Sequence, residues 1–196
     1  MNRYEIKVYN QLNSIQKEET IDVFLEGFGH MMKFSKDNNE LKSLFATAFH
    51  PSYIYACLEN DKVLGILGIA LNNIRPIKLD YGKCVSIYGK LKGSIICKQM
   101  NSIFQSQVVK KETDIYIDVL ATTKKARGRG VATRLLEYAF FSLPNYKECY
   151  IEVLSKNMNA KRLYEKSGFI ECKNMPFSFT TLMGLGYPIK LKRDLI

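Results

Sequence analysis

The sequence predicts an α/β fold: a single mixed sheet flanked by helices. Three observations carry that expectation. Asp114 to Thr122 reads as a strand and Thr133 to Phe141 as a helix, joined through the short loop Arg127-Gly128-Arg129-Gly130-Val131-Ala132. Tyr53 to Leu58 and Val63 to Leu71 are apolar runs flanking the polar turn Glu59-Asn60-Asp61-Lys62, a hairpin pattern. Cys149 to Leu154, Asn159 to Lys166 and Phe169 to Cys172 then give strand, helix and strand, with Gly168 placed as a helix C-cap. Strands alternating with helices in this way bury a sheet between helical layers.

The remaining elements follow in order. Glu18 to Met32 has helical apolar spacing through Ile21, Phe24, Leu25 and Phe28, and Asn39 to Phe49 has it through Leu41, Leu44, Phe45 and Ala48. Gly65 and Gly68 inside the second hairpin strand suggest a bulge or the close approach of another group. Residues 75–112 carry apolar positions at roughly helical spacing and predict one or two helices, broken near Gly93. Pro144-Asn145 makes a turn, and Ile189 to Lys192 closes the sheet. The order is ααββ, an insert, then βαβαββ, all within one domain spanning residues 1–196.

Composition narrows the function. Of 196 residues, 46% are hydrophobic and 24% charged, as in a core-forming globular protein. No run approaches the roughly 18 apolar residues of a spanning helix, and Met1 to Lys7 lacks the apolar stretch of a signal peptide. A cytoplasmic protein with no membrane partner is expected. The five cysteines, Cys57, Cys84, Cys97, Cys149 and Cys172, contain no CxxC pair, so reduced thiols and no structural metal are expected. His30 and His50 are the only histidines, which disfavours Ser-His-Asp chemistry. The net charge of +10 raises nucleic-acid binding as a rival, but the basic residues are scattered. Their densest patch, Lys124 to Arg129, coincides with the Gly/Arg loop, which favours a small anionic ligand over nucleic acid.

That loop has the chemistry of a diphosphate cradle. The first N–H groups of a helix have no intrahelical partner, and the helix dipole adds positive potential. Gly128 and Gly130 let the backbone approach an anion, and Arg127 and Arg129 add charge. A P-loop would need Lys-Ser/Thr after Gly130, where Val131-Ala132 stand. A dinucleotide fingerprint would need a third glycine at position 133, which is Thr.

Taken together, the motifs resemble the GNAT N-acetyltransferase superfamily. Leu120-Ala121-Thr122 resembles the family's strand end, and Arg127-x-x-Gly130-x-Ala132 its loop. Glu152-Val153 resembles its fifth strand. Asn157-x-x-Ala160-x-x-Leu163-Tyr164-x-x-x-Gly168-Phe169 matches its closing element. The resemblance is close over residues 114–170. It implies a sheet splayed between the fourth and fifth strands, and acetyl-CoA as co-substrate with no metal. The diphosphate would lie on residues 128–133 (Gly128, Arg129, Gly130, Val131, Ala132, Thr133) beside Arg127. The pantetheine arm would pair with Leu120, Ala121 and Thr122, and Asn157 would bond it from the other side. Tyr164 would protonate the departing thiolate. Asp118 is the first candidate for taking the proton of the acceptor amine and Glu152 the second; strand alternation would put Tyr116, Asp118, Leu120 and Thr122 on one face. The acceptor would be a primary amine of a small molecule, peptide or protein, and a homodimer is left open. A silent acyl-CoA-binding module of the same fold is the alternative function.

Thr122 and Lys124 depart from the family's usual Val and Pro, and the insert has no counterpart in the pattern. Tyr81, Tyr88, Met100 and Phe104 there are expected to line an acceptor pocket, with Lys83, Lys90, Lys92 and Lys98 favouring an anionic acceptor. The alternative is that the insert only thickens the core or forms a dimer contact.

Overall fold

The computed structural model describes residues 3–174, 176, 179–182 and 184–195. The strands are β1 (Glu5–Val8), β2 (Ile54–Glu59), β3 (Lys62–Ala70), β4 (Asp114–Thr122), β5 (Glu148–Leu154), β6 (Ile170–Asn174) and β7 (Pro188–Asp194). The helices are α1 (Ser14–Phe28), α2 (Asn38–Phe45), α3 (Tyr81–Tyr88), α4 (Lys90–Phe104), α5 (Val131–Ser142), α6 (Met158–Lys166) and the short α7 (Phe179–Leu182). The strands form one sheet in the order β1-β2-β3-β4-β5-β7-β6. Only β4 and β5 run parallel; the other neighbours are antiparallel.

Local chemistry accounts for the elements. α1 begins at Ser14 rather than Glu18, because Asn13 and Gln16 form a capping box there. Asp37 and Asp80 cap α2 and α3 through Asn39 and Lys83 N–H groups. The β2–β3 hairpin closes through Asn60 and Asp61, both at positive φ (50° and 61°), the conformation of a tight two-residue turn. β1 lies outside the sequence expectation. Its alternation of Glu5, Ile6, Lys7 and Val8 is short, and pairing to β2 makes it a strand.

Two cores sandwich the sheet. α1 and α2 pack Phe24, Leu44 and Phe45 against Ile54, Ile66 and Val119, with the Phe24 and Phe45 rings 4.7 Å apart. α5 packs Val131, Leu135 and Leu136 against Ile115, Ile117 and Ile151. Each such fully buried side chain contributes roughly 1.5–3 kcal/mol.

The insert is a pair of helices. The break falls at Gly89 (φ 79°), not near Gly93. Gly93 lies inside α4 where it crosses α3, and a Cβ there would sit 2.4 Å from the Cys84 carbonyl oxygen. It is a contact residue between helices, not a break. Tyr88, Met100 and Phe104 pack onto the α1/α2 core, Tyr88 against Phe34 and Phe104 against Phe45. Tyr81 is exposed and shares a hydrogen bond with Ser94. Tyr88, Met100 and Phe104 thus thicken the core, as in the alternative reading of the insert, whereas Tyr81 lies on the surface. Arg75, at the start of the insert, is the residue that reaches the site.

Candidate active site

β4 pairs with β3 from Tyr116 to Thr122, but with β5 only from Asp114 to Ile117, opposite Glu148 to Ile151. Past Ile117 the two parallel strands part. The β5-facing edge of β4 from Asp118 to Thr122 therefore has no strand on it. A cleft opens there between Leu120-Ala121-Thr122 on one side and Glu152 to Leu154 on the other.

A bulge sets which side chains meet in the cleft. Gly68 pairs with Val119 and Ile69 with Ile117, leaving Asp118 as the extra residue. Alternation changes phase at that point. Ile115 and Ile117 face α5, whereas Val119 and Ala121 face the α1/α2 core and Leu120 packs with the α5 cluster. Thr122 lies on the α5 side too, since a Cβ on Gly65 would meet both Val131 and Thr122. The face expected to hold Tyr116, Asp118, Leu120 and Thr122 together is thus split, with Tyr116 on the side away from α5, where it packs with Ala70 and Val109.

At the mouth of the cleft lies the Gly/Arg loop. Gly128 (φ 75°) and Gly130 (φ 81°) take left-handed conformations that favour glycine, and open space surrounds the position of a Cβ at each. Gly130 caps α5 with no side-chain bond. Among the described residues the N–H groups of Gly128, Gly130, Val131, Ala132 and Thr133 donate to nothing. Arg129 differs: its N–H donates to the Ala126 carbonyl. Its guanidinium pairs with Glu59 at 2.6 Å, and its carbonyl accepts from the Tyr4 hydroxyl at 2.9 Å. Arg129 ties the loop to β2 and to Tyr4 just before β1, which leaves Arg127, exposed and unpaired among the described residues, as the loop's free guanidinium. Five unpartnered N–H groups and an unpaired arginine fit a diphosphate.

Opposite the cradle, Asn157 caps α6 by accepting from Ala160 N–H at 3.2 Å, while its side-chain NH2 has no partner among the described residues. Tyr164 is buried on α6 with its ring against Phe169. Its hydroxyl makes no hydrogen bond among the described residues. Burial pushes the phenol well above its ordinary range.

The two carboxylates differ. Asp118 is held bidentately by Arg75, with Nε to Oδ2 at 3.0 Å and Nη2 to Oδ1 at 2.8 Å. Both side chains are nearly buried, and Arg75 also donates to the Ile103 and Ser106 carbonyls. Desolvation raises the Asp118 carboxyl against the opposing pull of Arg75. Among the described residues Glu152 has no ion-pair partner, and it is exposed, although protein crowds it enough for desolvation to raise its pKa. Asp118 adds to that rise; Lys190, Arg75 and Lys173 oppose it. Arg75, Lys173 and Lys190 were not legible as site residues. Arg75 stands 43 positions before Asp118, inside an otherwise unremarkable Ile-Arg-Pro run.

The Arg75–Asp118 pair has a stability consequence. Removing one partner of a buried ion pair strands the other charge. Arg75→Met should lower unfolding free energy by roughly 3 kcal/mol in urea titrations. A loss under about 1 kcal/mol would show that water reaches Asp118.

The fold is an open mixed sheet, parted between its two parallel strands and edged by a glycine-lined helix N-terminus whose N–H groups are free among the described residues. The profile of the Acetyltransferase (GNAT) family matches residues 18–169, and the chain belongs to that family. By sequence, no curated protein matches. By structure, it is similar to a histone acetyltransferase HPA2-related acetyltransferase from Corynebacterium glutamicum, with a TM-score of 0.62 at 17% identity over 97% of this chain and 96% of that one. It is similar to the ribosomal-protein-S18-alanine N-acetyltransferase of Escherichia coli, with a TM-score of 0.56 at 13% identity over 98% and 94%. It is also similar to a chain of the NatC complex bound to Gag peptide and CoA, with a TM-score of 0.58 at 18% identity over 99% of each. At these identities the likeness is one of fold.

Proposed function

We propose that this protein transfers the acetyl group of acetyl-CoA to a primary amine by direct attack. The observation that carries the reading is the meeting of three features in one cleft: the parted β4–β5 edge, the uncapped α5 N-terminus, and the unbonded Tyr164 hydroxyl. The N–H groups of Gly128 and Gly130 to Thr133, with Arg127, hold the diphosphate, and Arg129 holds the loop. The free edge of Leu120 to Thr122 pairs with the amides of the pantetheine arm, and the Asn157 NH2 donates to it from the facing side. The amine nitrogen attacks the thioester carbonyl, the C–S bond breaks, and the Tyr164 hydroxyl supplies a proton to sulfur. The acceptor is an amine of a small molecule, peptide or protein; one structural neighbour is named for the alanine of a ribosomal protein and another is bound to a peptide. Among the described residues no helix is long and apolar enough to cross a membrane, and all five cysteines are free. Free thiols suit the reducing cytoplasm, where we place the protein.

An acceptor ammonium with a pKa near ~10 must lose a proton before attack. Glu152 is the better-placed base. It is hydrated and unpaired, whereas both Asp118 oxygens accept from Arg75. In our reading Asp118 anchors the insert at the cleft. A base works ionised, so kcat/KM should rise with pH through the Glu152 pKa, which lies above the ordinary glutamate value. Glu152→Gln should lower kcat/KM and erase that acid limb, while Asp118→Asn should leave the limb and lower stability. The reverse pattern would return the role to Asp118.

The broad test is an amine panel with thiol detection and product mass. If CoA binds but no amine releases thiol, the enzyme reading fails.

A further inference from the structure

Across the acceptor side of the cleft, Glu152 on β5 stands opposite Lys190 on β7, and Lys190 stands opposite Lys173 on β6. Residues opposed on antiparallel strands project to the same face, so the three form one row about two strand spacings, roughly 10 Å, long. Lys190 Nζ sits 4.7 Å over the Tyr150 ring and 5.9 Å from that of Tyr116, and donates to the Val108 carbonyl at 3.2 Å. Neither Lys190 nor Lys173 has a carboxylate within 4.0 Å among the described residues. Neighbouring lysines do: Lys192 pairs with Glu148 at 2.7 Å and Lys161 with Glu171 at 3.0 Å. Like charges placed opposite on adjacent strands repel, and Glu152, the one carboxylate of the row, offsets only one of the two lysines. The other charges near Glu152 do not supply it, because Arg75 and Asp118 neutralise one another.

The charge balance bears on the substrate. With Glu152 ionised, the row carries a net single positive charge. An ammonium approaching Glu152 meets Lys190 and Lys173 as well, and a simple alkylamine is repelled. An amine that also carries an anion is drawn in, amine toward Glu152 and anion toward the lysines. We propose that Lys173 and Lys190 form an anion-binding subsite, and that the acceptor is a primary amine bearing a carboxylate or phosphate within roughly 10 Å of its nitrogen. This rests on the acetyltransferase reading and on Glu152 marking the position of the amine. It moves the anionic preference expected of Lys83, Lys90, Lys92 and Lys98 to strand residues beside the reacting carboxylate.

The test pairs acceptors that differ only in the anion: glycine and ω-amino acids against their amides, and aminoethyl phosphate against ethanolamine. In the parent protein the anionic member should have a KM at least about tenfold lower. Lys173→Met, at an exposed position, and Lys190→Met should each raise that KM and lower the KM of the neutral member. Ligand-observed NMR on the CoA-loaded protein, with N-acetylated amino acids against their amides, reads the same preference without turnover. Equal KM or equal binding within the pairs, or a preference that survives both substitutions, overturns the subsite. An anion preference without acetyl transfer to any amine instead leaves the subsite standing and removes the enzyme reading. Whether carboxylate or phosphate is preferred separates the two acceptor classes.

Discussion

Gly130→Val is expected to abolish measurable CoA binding. Gly130 sits at φ 81°, which a β-branched residue reaches only at a cost of roughly 1–2 kcal/mol. Relaxing that strain turns the peptide and re-aims the N–H groups that begin α5. The new side chain would also enter the open space in front of those groups, where the diphosphate must lie. Each lost bond to a charged oxygen is worth roughly 1.5–3 kcal/mol, so losing two of them with the strain predicts a weakening of at least about 10³-fold. Gly130→Ala should be intermediate, since it carries the strain with less bulk. Calorimetry on variants whose melting matches the parent reads the effect. Parent-like affinity in Gly130→Val would place the diphosphate elsewhere.

How much of this was legible in the sequence depended on whether the signal was local. The Gly/Arg loop and its helix were legible because the glycines, the arginines and the helix that follows lie within about a dozen residues. The hairpin and the strand-helix-strand unit after it were legible for the same reason. What the sequence hid was long-range pairing. β1 is four residues that become a strand by lying against β2. The bulge at Asp118 is specified across strands, by Gly68 and Ile69. A single extra residue reversed the phase on which the face of Leu120 and Thr122 had been reasoned. Arg129 looked like a ligand residue because its neighbours do, and the partner that claims it, Glu59, is 70 positions away.

Glu152 and Asp118 show the same limit in electrostatics. As letters they are near-equivalent candidates for one role. In the fold one is enclosed in a bidentate ion pair, and the other is exposed, near two lysines that have no carboxylate partner among the described residues. The discriminating residues, Arg75, Lys190 and Lys173, come from the insert and the last two strands, outside the region where the motifs lie. Gly93 makes the point for packing: a glycine in a helical pattern reads as a break, but here it is what lets α3 and α4 touch.

Tyr164→Phe is expected to lower kcat by about 10²-fold while CoA affinity stays within a few-fold, the range for losing one positioned proton donor. The ring stays and keeps its contact with Phe169, so packing is spared. Only the hydroxyl is lost, and it holds no partner in place among the described residues. The argument has to meet one objection. A phenol raised above its ordinary value by burial is a weaker acid than a thiol with a pKa near 8.5, so full transfer to a solvated thiolate would run uphill. In the cleft the leaving sulfur is desolvated as well, which raises its own proton affinity in the same direction. A hydrogen bond from the hydroxyl that strengthens as the C–S bond breaks lowers the barrier whether or not the proton has fully crossed. The loss should therefore fall on kcat and not on KM for CoA. It should also shrink with an acyl donor whose leaving thiol is more acidic and needs less help. If Tyr164→Phe loses the same factor with both donors, the hydroxyl acts on something other than the departing sulfur. If it loses no more than a few-fold with acetyl-CoA, water protonates the thiolate.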